Sequence, residues 1–180
     1  MYKPYAGIGG RNTPDNVLKK FTSIGQELAS LGYTLRSGGA DGADSAFELG
    51  YYHMPASSKE IYRPWKGFNN NKSEYYLRDI NKELEKICID IYGDVRWEIV
   101  KKSVRLLHAR NVFQILGGDL CSKSLFVVCW TDRPANDTGG TQFGLHLAKK
   151  LDIPTYNFYY RQEEEAFNNM LEGLKKGASE

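Results

Sequence analysis

The chain has 180 residues, 41% hydrophobic and 26% charged, with a formal net charge of +2. These values exclude the disordered, collagen-like and disulfide-stapled classes, and the length suits one domain with a real core. A charge so near zero permits nucleic acid as a partner without demanding it.

Tyr5 to Ile8 reads as a first strand, running into Gly9-Gly10-Arg11-Asn12. Thr13 then stands as helix cap with Pro14 at the first helical position. Val17, Phe21, Ile24, Leu28 and Leu31 recur at helical spacing, and Gly32 supplies the stop. Tyr33 to Arg36 is the second strand, followed by Ser37-Gly38-Gly39-Ala40-Asp41-Gly42 and a helix through Ala46, Phe47 and Leu49. A third strand covers Lys59 to Tyr62 and ends at Pro64.

After an Asn-rich loop, two helices are expected from Ser73. Leu77, Ile80, Leu84, Ile87 and Ile91 mark the first; Gly93 breaks it; Val100, Val104 and Leu107 mark the second. Leu125 to Trp130 is a continuous apolar run, the pattern of a strand covered on both faces, and is expected at the centre of the sheet. The loop 131–138 leads to Gly139-Gly140-Thr141 and a helix bearing Leu145, Leu147 and Leu151. Ile153 to Phe158 is the fifth strand, and a closing helix carries Phe167, Met170, Leu171 and Leu174.

Strands alternating with helices predict an α/β, Rossmann-like parallel sheet of about five strands with helices on both faces. The expected organisation is one nucleotide-binding domain over 1–180 with a helical insertion around 73–116. Cys88, Cys121 and Cys129 are odd in number and lack a C-x-x-C pair, which points to reduced thiols rather than a disulfide framework or zinc site. No leader pattern and no apolar run of about 18 residues is present, so a cytoplasmic protein without membrane contact is expected.

In an open parallel sheet, ligands sit outside the carboxyl ends of the strands, where helix N-termini attract anions. Three Gly-rich segments fall at such ends: Gly7 to Arg11, Ser37 to Gly42, and Gly139 to Thr141. Glycine lets a phosphate approach the backbone without meeting a Cβ. The G-x-G-x-x-G and G-x-x-x-x-G-K-[ST] patterns are both absent, which argues against dinucleotide redox chemistry and P-loop hydrolysis. Arg11 offers a bidentate bond to phosphate, and Thr141 a hydroxyl. Asp41 and Asp44 could accept from ribose hydroxyls or hold a divalent cation such as Mg2+; no other cofactor is called for. Trp130, at the end of a strand, is a candidate for stacking on a base. The basic run Arg96, Lys101, Lys102, Arg105, His108 and Arg110, with Tyr75, Tyr76 and Trp97 near it, is interspersed with acidic residues and reads as a solvated helical surface. His146 reads as structural.

The run SGGADGADSAFELG resembles the Gly-rich segment of the DNA-processing protein A (DprA/Smf) family. HARNVFQILGG resembles that family's Arg-Asn element, and LFVVCWT followed by GGTQFGLHLAKKLDIPTYN resembles its next strand, turn and helix. The wider grouping, the SLOG superfamily, also holds the LOG phosphoribohydrolases and several nucleotide-signal sensors. The resemblance implies a nucleotide- or single-strand-binding edge lined by Gly9, Gly10, Arg11, Ser37, Gly38, Gly39, Asp41, Arg110, Asn111, Gly139, Gly140 and Thr141. Within 180 residues the extra modules of many DNA-processing members are not expected, and neither is a recombination-mediator role. The LOG enzymes carry a glutamate shortly after their Gly-Gly turn, whereas Thr141-Gln142-Phe143-Gly144 offers none. For N-glycosidic hydrolysis of a nucleoside monophosphate, Asp41, Asp44 or Glu48 would have to substitute. A third reading is a sensor or sponge for a cyclic or ADP-ribose-type nucleotide. Paired subunits are common among related folds, so a homo-oligomer is compatible with all three.

Overall fold

A computed structural model describes residues 2–134, 137 and 139–178; Ala135, Asn136 and Thr138, within the loop expected over 131–138, lie outside the described residues, as do Met1, Ser179 and Glu180. Five parallel strands, β1 (Pro4–Gly9), β2 (Thr34–Ser37), β3 (Lys59–Ile61), β4 (Val127–Trp130) and β5 (Thr155–Asn157), form one sheet in the order β3-β2-β1-β4-β5. The chain thus builds outward from β1 to one edge, then returns to the other side of β1 for its second half. That reversal is a topological switch point, the place where adjacent strand-to-helix loops run apart and leave a crevice.

Among the described residues there are seven α-helices: α1 (Asp15–Ser30), α2 (Ala43–Gly50), α3 (Lys82–Tyr92), α4 (Asp94–Ile99), α5 (Lys102–Leu116), α6 (Gly140–Lys150) and α7 (Arg161–Gly177). Helices α1, α2 and α7 pack on one face, where Phe21, Phe47 and Phe167 meet Tyr5, Leu35, Val128 and Trp130. On the other face α3, α5 and α6 bring Leu84, Val112 and Phe143 against Ala6, Ile8, Val127 and Cys129. Successive residues of β4 therefore alternate between two buried faces, which is why the strand reads as unbroken apolar sequence. The middle position belongs to β1; β4 lies beside it and is paired on both sides, to β1 and β5.

Three expectations are corrected. The helix expected from Ser73 begins only at Lys82, because Asn81 caps it, its side chain accepting from the Leu84 N–H at 2.9 Å. Residues 75–77 instead pair with Arg63, whose N–H donates to Tyr75 O and whose carbonyl accepts from Leu77 N–H, both at 2.9 Å. Leu77 is buried from this extended segment, so its helical spacing to Leu84 was coincidental. Between β3 and β4 there are three α-helices, not two, since Gly93 and Val100 each end one. At the start of α1 the cap position is Pro14, while Thr13 turns back and donates to Gly10 O at 2.6 Å.

Helices α1 and α2 cross where Gly25 meets Gly50. A Cβ on Gly50 would stand 2.6 Å from Thr22 O and 2.8 Å from Gly25 Cα. Replacing Gly by Ala in a helix ordinarily gains up to about 1 kcal/mol of propensity, while overpacking a close contact costs about 1–3 kcal/mol. Gly50→Ala is therefore expected to lower the unfolding free energy in a urea titration. Gly173→Ala, on α7 with open space around it, is expected to raise it.

Candidate functional site

The carboxyl ends of β1 and β4 lie side by side, Gly9 opposite Trp130. The loops that leave them part to enclose a cavity of about 380 Å³, within the size range of small-ligand sites. Gly9 to Asn12 form one wall, Thr131, Arg133 and Gly139 to Thr141 a second, and Ala40, Asp44, Arg110, Asn111 and Gln114 the floor. The sheet order accounts for this position, since the crevice is the switch point itself.

The floor is a buried polar network. Arg110, 6% exposed, points its Nη1 at Asp44 Oδ2 across 3.4 Å, and Asp44, 3% exposed, also accepts from Ala40 N–H at 3.3 Å. The guanidinium lies on the backbone of Gly38, where a Cβ would come within 1.1 Å of Nη1. In the amide orientation that satisfies its neighbours, Gln114 accepts from Gly38 N–H at 2.8 Å and Arg110 Nη1 at 3.2 Å, and donates to Asn111 Oδ1 at 3.0 Å. Asn111 in turn donates to Gly140 O at 2.9 Å. A continuous chain of hydrogen bonds thus runs from the loop after β2, along α5, to the first turn of α6.

Burial raises the Asp44 carboxyl above its ordinary range, an effect that Arg110 and the Ala40 N–H oppose. Burial likewise lowers the Arg110 guanidinium, Asp44 counteracts this, and the nearby charge of Arg11 lowers it further. An arginine starts so high that Arg110 stays cationic. Two guanidiniums thus repel across the cavity, and Arg110 Nε is a buried donor with no partner among the described residues. Arg11 is exposed and makes no hydrogen bond or ion pair among the described residues; Arg133 is exposed and pairs with Asp137 at 2.9 Å. Asp44 is the one carboxylate among the described residues lining the cavity.

Of the candidate residues, Gly9, Gly10, Arg11, Asp44, Arg110, Asn111, Gly139, Gly140 and Thr141 line this cavity. The others stand elsewhere. Ser37 is fully buried and donates to Gly7 O at 2.6 Å, tying β2 to β1. Gly38 lies beneath Arg110, and Gly39, at φ +65°, faces Asn71 and Ile61 on the β3 side. Asp41 is exposed and accepts from Asn69 Nδ2 at 3.0 Å; Glu48 accepts from Asn71 Nδ2 at 3.3 Å. Trp130 is buried among the core residues of the α1, α2 and α7 face, so its ring is not a free stacking surface. Asn12, Gln114, Thr131 and Arg133 were not singled out from sequence; Gln114 could have been, as a polar residue one turn from Arg110 and Asn111 between apolar neighbours. Among the described residues no three His, Cys, Asp or Glu side chains gather to hold a metal, and no helix is long and apolar enough to cross a membrane.

The basic run around α5 divides. Arg96, Lys101 and Lys102 are exposed, Arg105 stands over the Trp97 ring, and His108 is buried between Tyr92 and Phe143, with ring centroids 4.7 and 4.9 Å away. Tyr76 sits beneath Arg63 and Arg78.

Comparison with solved structures finds a likeness to DNA processing protein A from Helicobacter pylori, in a study of that protein's single-stranded DNA binding mode; the TM-score is 0.56 at 21% identity, covering 86% of this chain and 64% of that one. The fold is DNA-processing-protein-A-like. The chain spans 64% of that neighbour's length, so the likeness concerns the sheet and its helices. No family model and no curated protein sequence matches the chain.

Two outcomes follow. Gly38→Ala must expel the Arg110 guanidinium from its seat and break the Asp44 contact; a loss of about 1–3 kcal/mol in urea unfolding is expected. Burial, with Arg110 adding to it, pushes His108 down to about 4 from its ordinary 6.5. Its neutral form belongs to the folded state, so the unfolded chain binds more protons in between. That stability is complete above about pH 6.5 and fades as pH falls toward 4. Between about pH 7 and pH 4.5, His108→Phe is expected to lose roughly 2 kcal/mol less unfolding free energy than the parent chain.

Proposed function

We propose that this chain binds single-stranded DNA and seats a backbone phosphate in the switch-point cavity. The observation that carries the reading is the charge arrangement there. Arg11, Arg110 and Arg133 surround a cavity in which Asp44 is already committed to Arg110 and Asp137 to Arg133, so Arg11 is the cation with no ion pair among the described residues. A phosphate would relieve the repulsion between Arg11 and Arg110, and the open amides of the first turn of α6 add the attraction of a helix N-terminus. The Helicobacter pylori neighbour's single-stranded DNA binding supports the choice of ligand.

The same geometry argues for binding over N-glycosidic hydrolysis. A carboxylate that is buried, ion-paired and held by a backbone N–H is poorly placed to activate water or stabilise a ribosyl cation. Asp41 and Glu48 do not line the cavity and are each hydrogen-bonded to asparagines.

Fluorescence anisotropy with a labelled oligothymidylate tests the reading. Affinity should fall linearly with the logarithm of salt concentration, by a slope near 0.7 for each neutralised phosphate. Arg11→Ala and Arg133→Ala should each weaken binding roughly threefold to tenfold and lower the slope by about one such step. Tight binding of a mononucleotide with little salt dependence, and none of the oligomer, would replace this reading with that of a small-ligand sensor.

A further inference from the structure

Immediately beyond β5 the chain presents two half-exposed aromatic rings. Tyr159 is 51% and Tyr160 49% exposed, with centroids 5.2 Å apart and planes nearly perpendicular. Both lie on the carboxyl edge of the sheet, the edge that carries the cavity. One residue joins the two places. Asn157, the last of β5, accepts from Thr131 N–H at 3.0 Å and donates to Thr131 O at 2.9 Å, and Thr131 lines the cavity. The same Asn157 oxygen accepts from Tyr159 N–H at 3.1 Å. The buried ring of Trp130 supports Tyr159 edge-on from below, with centroids 6.0 Å apart.

We infer that Tyr159 and Tyr160 form a stacking platform for the bases of a single strand whose phosphate occupies the neighbouring cavity; this rests on the reading proposed above. The charge around the edge favours this direction for the strand. On the β3 side the exposed Asp41, hydrogen-bonded to the uncharged Asn69 amide at 3.0 Å and in no ion pair among the described residues, would meet the phosphates. On the β5 side two of the three carboxylates at the start of α7 are ion-paired, Glu164 with Lys20 and Glu165 with Arg161, and Glu163, partly buried, accepts from Asn157 N–H. Exposed tyrosine rings beside a cationic cavity suit a strand that places phosphate on one and base on the other, and stacking tolerates any base because each has a π-face.

The test compares a labelled oligothymidylate with an abasic oligomer of equal length and charge. Tyr159→Ala, Tyr160→Ala and the double variant should bind the oligothymidylate about tenfold more weakly per ring removed. Tyr→Phe at both positions should bind like the parent, since the ring face is kept. The abasic oligomer should bind all variants alike. Tyr160→Ala removes a ring that does not touch Trp130, which separates stacking from disturbance of the core. Equal binding of the oligothymidylate by the parent and the alanine variants would overturn the platform and leave the cavity reading intact. Equal losses on the abasic oligomer would overturn it too. If the parent binds neither oligomer, the cavity reading falls with it.

Discussion

The site depends on one buried guanidinium. Arg110 is removed from water by α2, α5 and the loop after β2, and a buried cation is tolerable only where it is paired and held. Asp44 supplies the counter-charge, Gln114 an oxygen, and Gly38 the flat backbone on which the group can lie. Each of these four residues comes from a stretch that answers to the others. A side chain on Gly38 would displace the arginine, and loss of the arginine would leave Asp44 in the interior without its counter-charge. Asn111, next along α5, extends the same network to Gly140 and so fixes where α6 begins. The shape of the cavity and its charge are consequences of one set of bonds.

The topology explains why that network sits where it does. Building β1 first and returning to its other side places two Gly-rich exits, after β1 and after β4, next to each other with nothing between them. Their helices leave on opposite faces, α1 with one core and α6 with the other. The crevice is therefore open by construction, and its floor must come from elsewhere. Helix α5 provides it, because the long return from β3 to β4 lays that helix under the gap. The stretch between β3 and β4 is thus part of the site as well as a connection.

How much of this the sequence carries can be judged from particular residues. The run Leu125 to Trp130 announces a doubly covered strand because both faces demand apolar residues, and the five strands appear in the expected places. The start of α3 is not legible from spacing: Leu77 and Ile80 keep helical spacing with Leu84, yet the cap at Asn81 and the pairing of 75–77 with Arg63 keep that stretch out of the helix. Local capping chemistry outweighed periodicity there. In the site, glycines after β1 and before α6 were legible because they serve a backbone turn. Ser37, Asp41, Glu48 and Trp130 share the same Gly-rich neighbourhoods, and sequence proximity alone could not tell which way their side chains turn. Ser37 turns to β1, Asp41 and Glu48 to the asparagines 69 and 71, and Trp130 into the core. Gln114 escaped notice for the opposite reason, since its importance lies in three partners that are distant in sequence or unremarkable in type.

A chain with a net charge of +2 is an unpromising polyanion binder if charge is averaged over its surface. The average is the wrong quantity. What a phosphate meets is a local field within low-dielectric walls: Arg11, without an ion pair among the described residues, beside Arg110 and Arg133, which already hold Asp44 and Asp137 as counter-charges. Elsewhere the charges neutralise one another in pairs such as Lys20 with Glu164 and Arg161 with Glu165, which contribute little to any long-range attraction. A protein arranged in this way would attract a strand weakly from a distance and hold it at one place. Its affinity would then depend on the geometry of that place, and above all on the seat of Arg110, more than on the total of its charges.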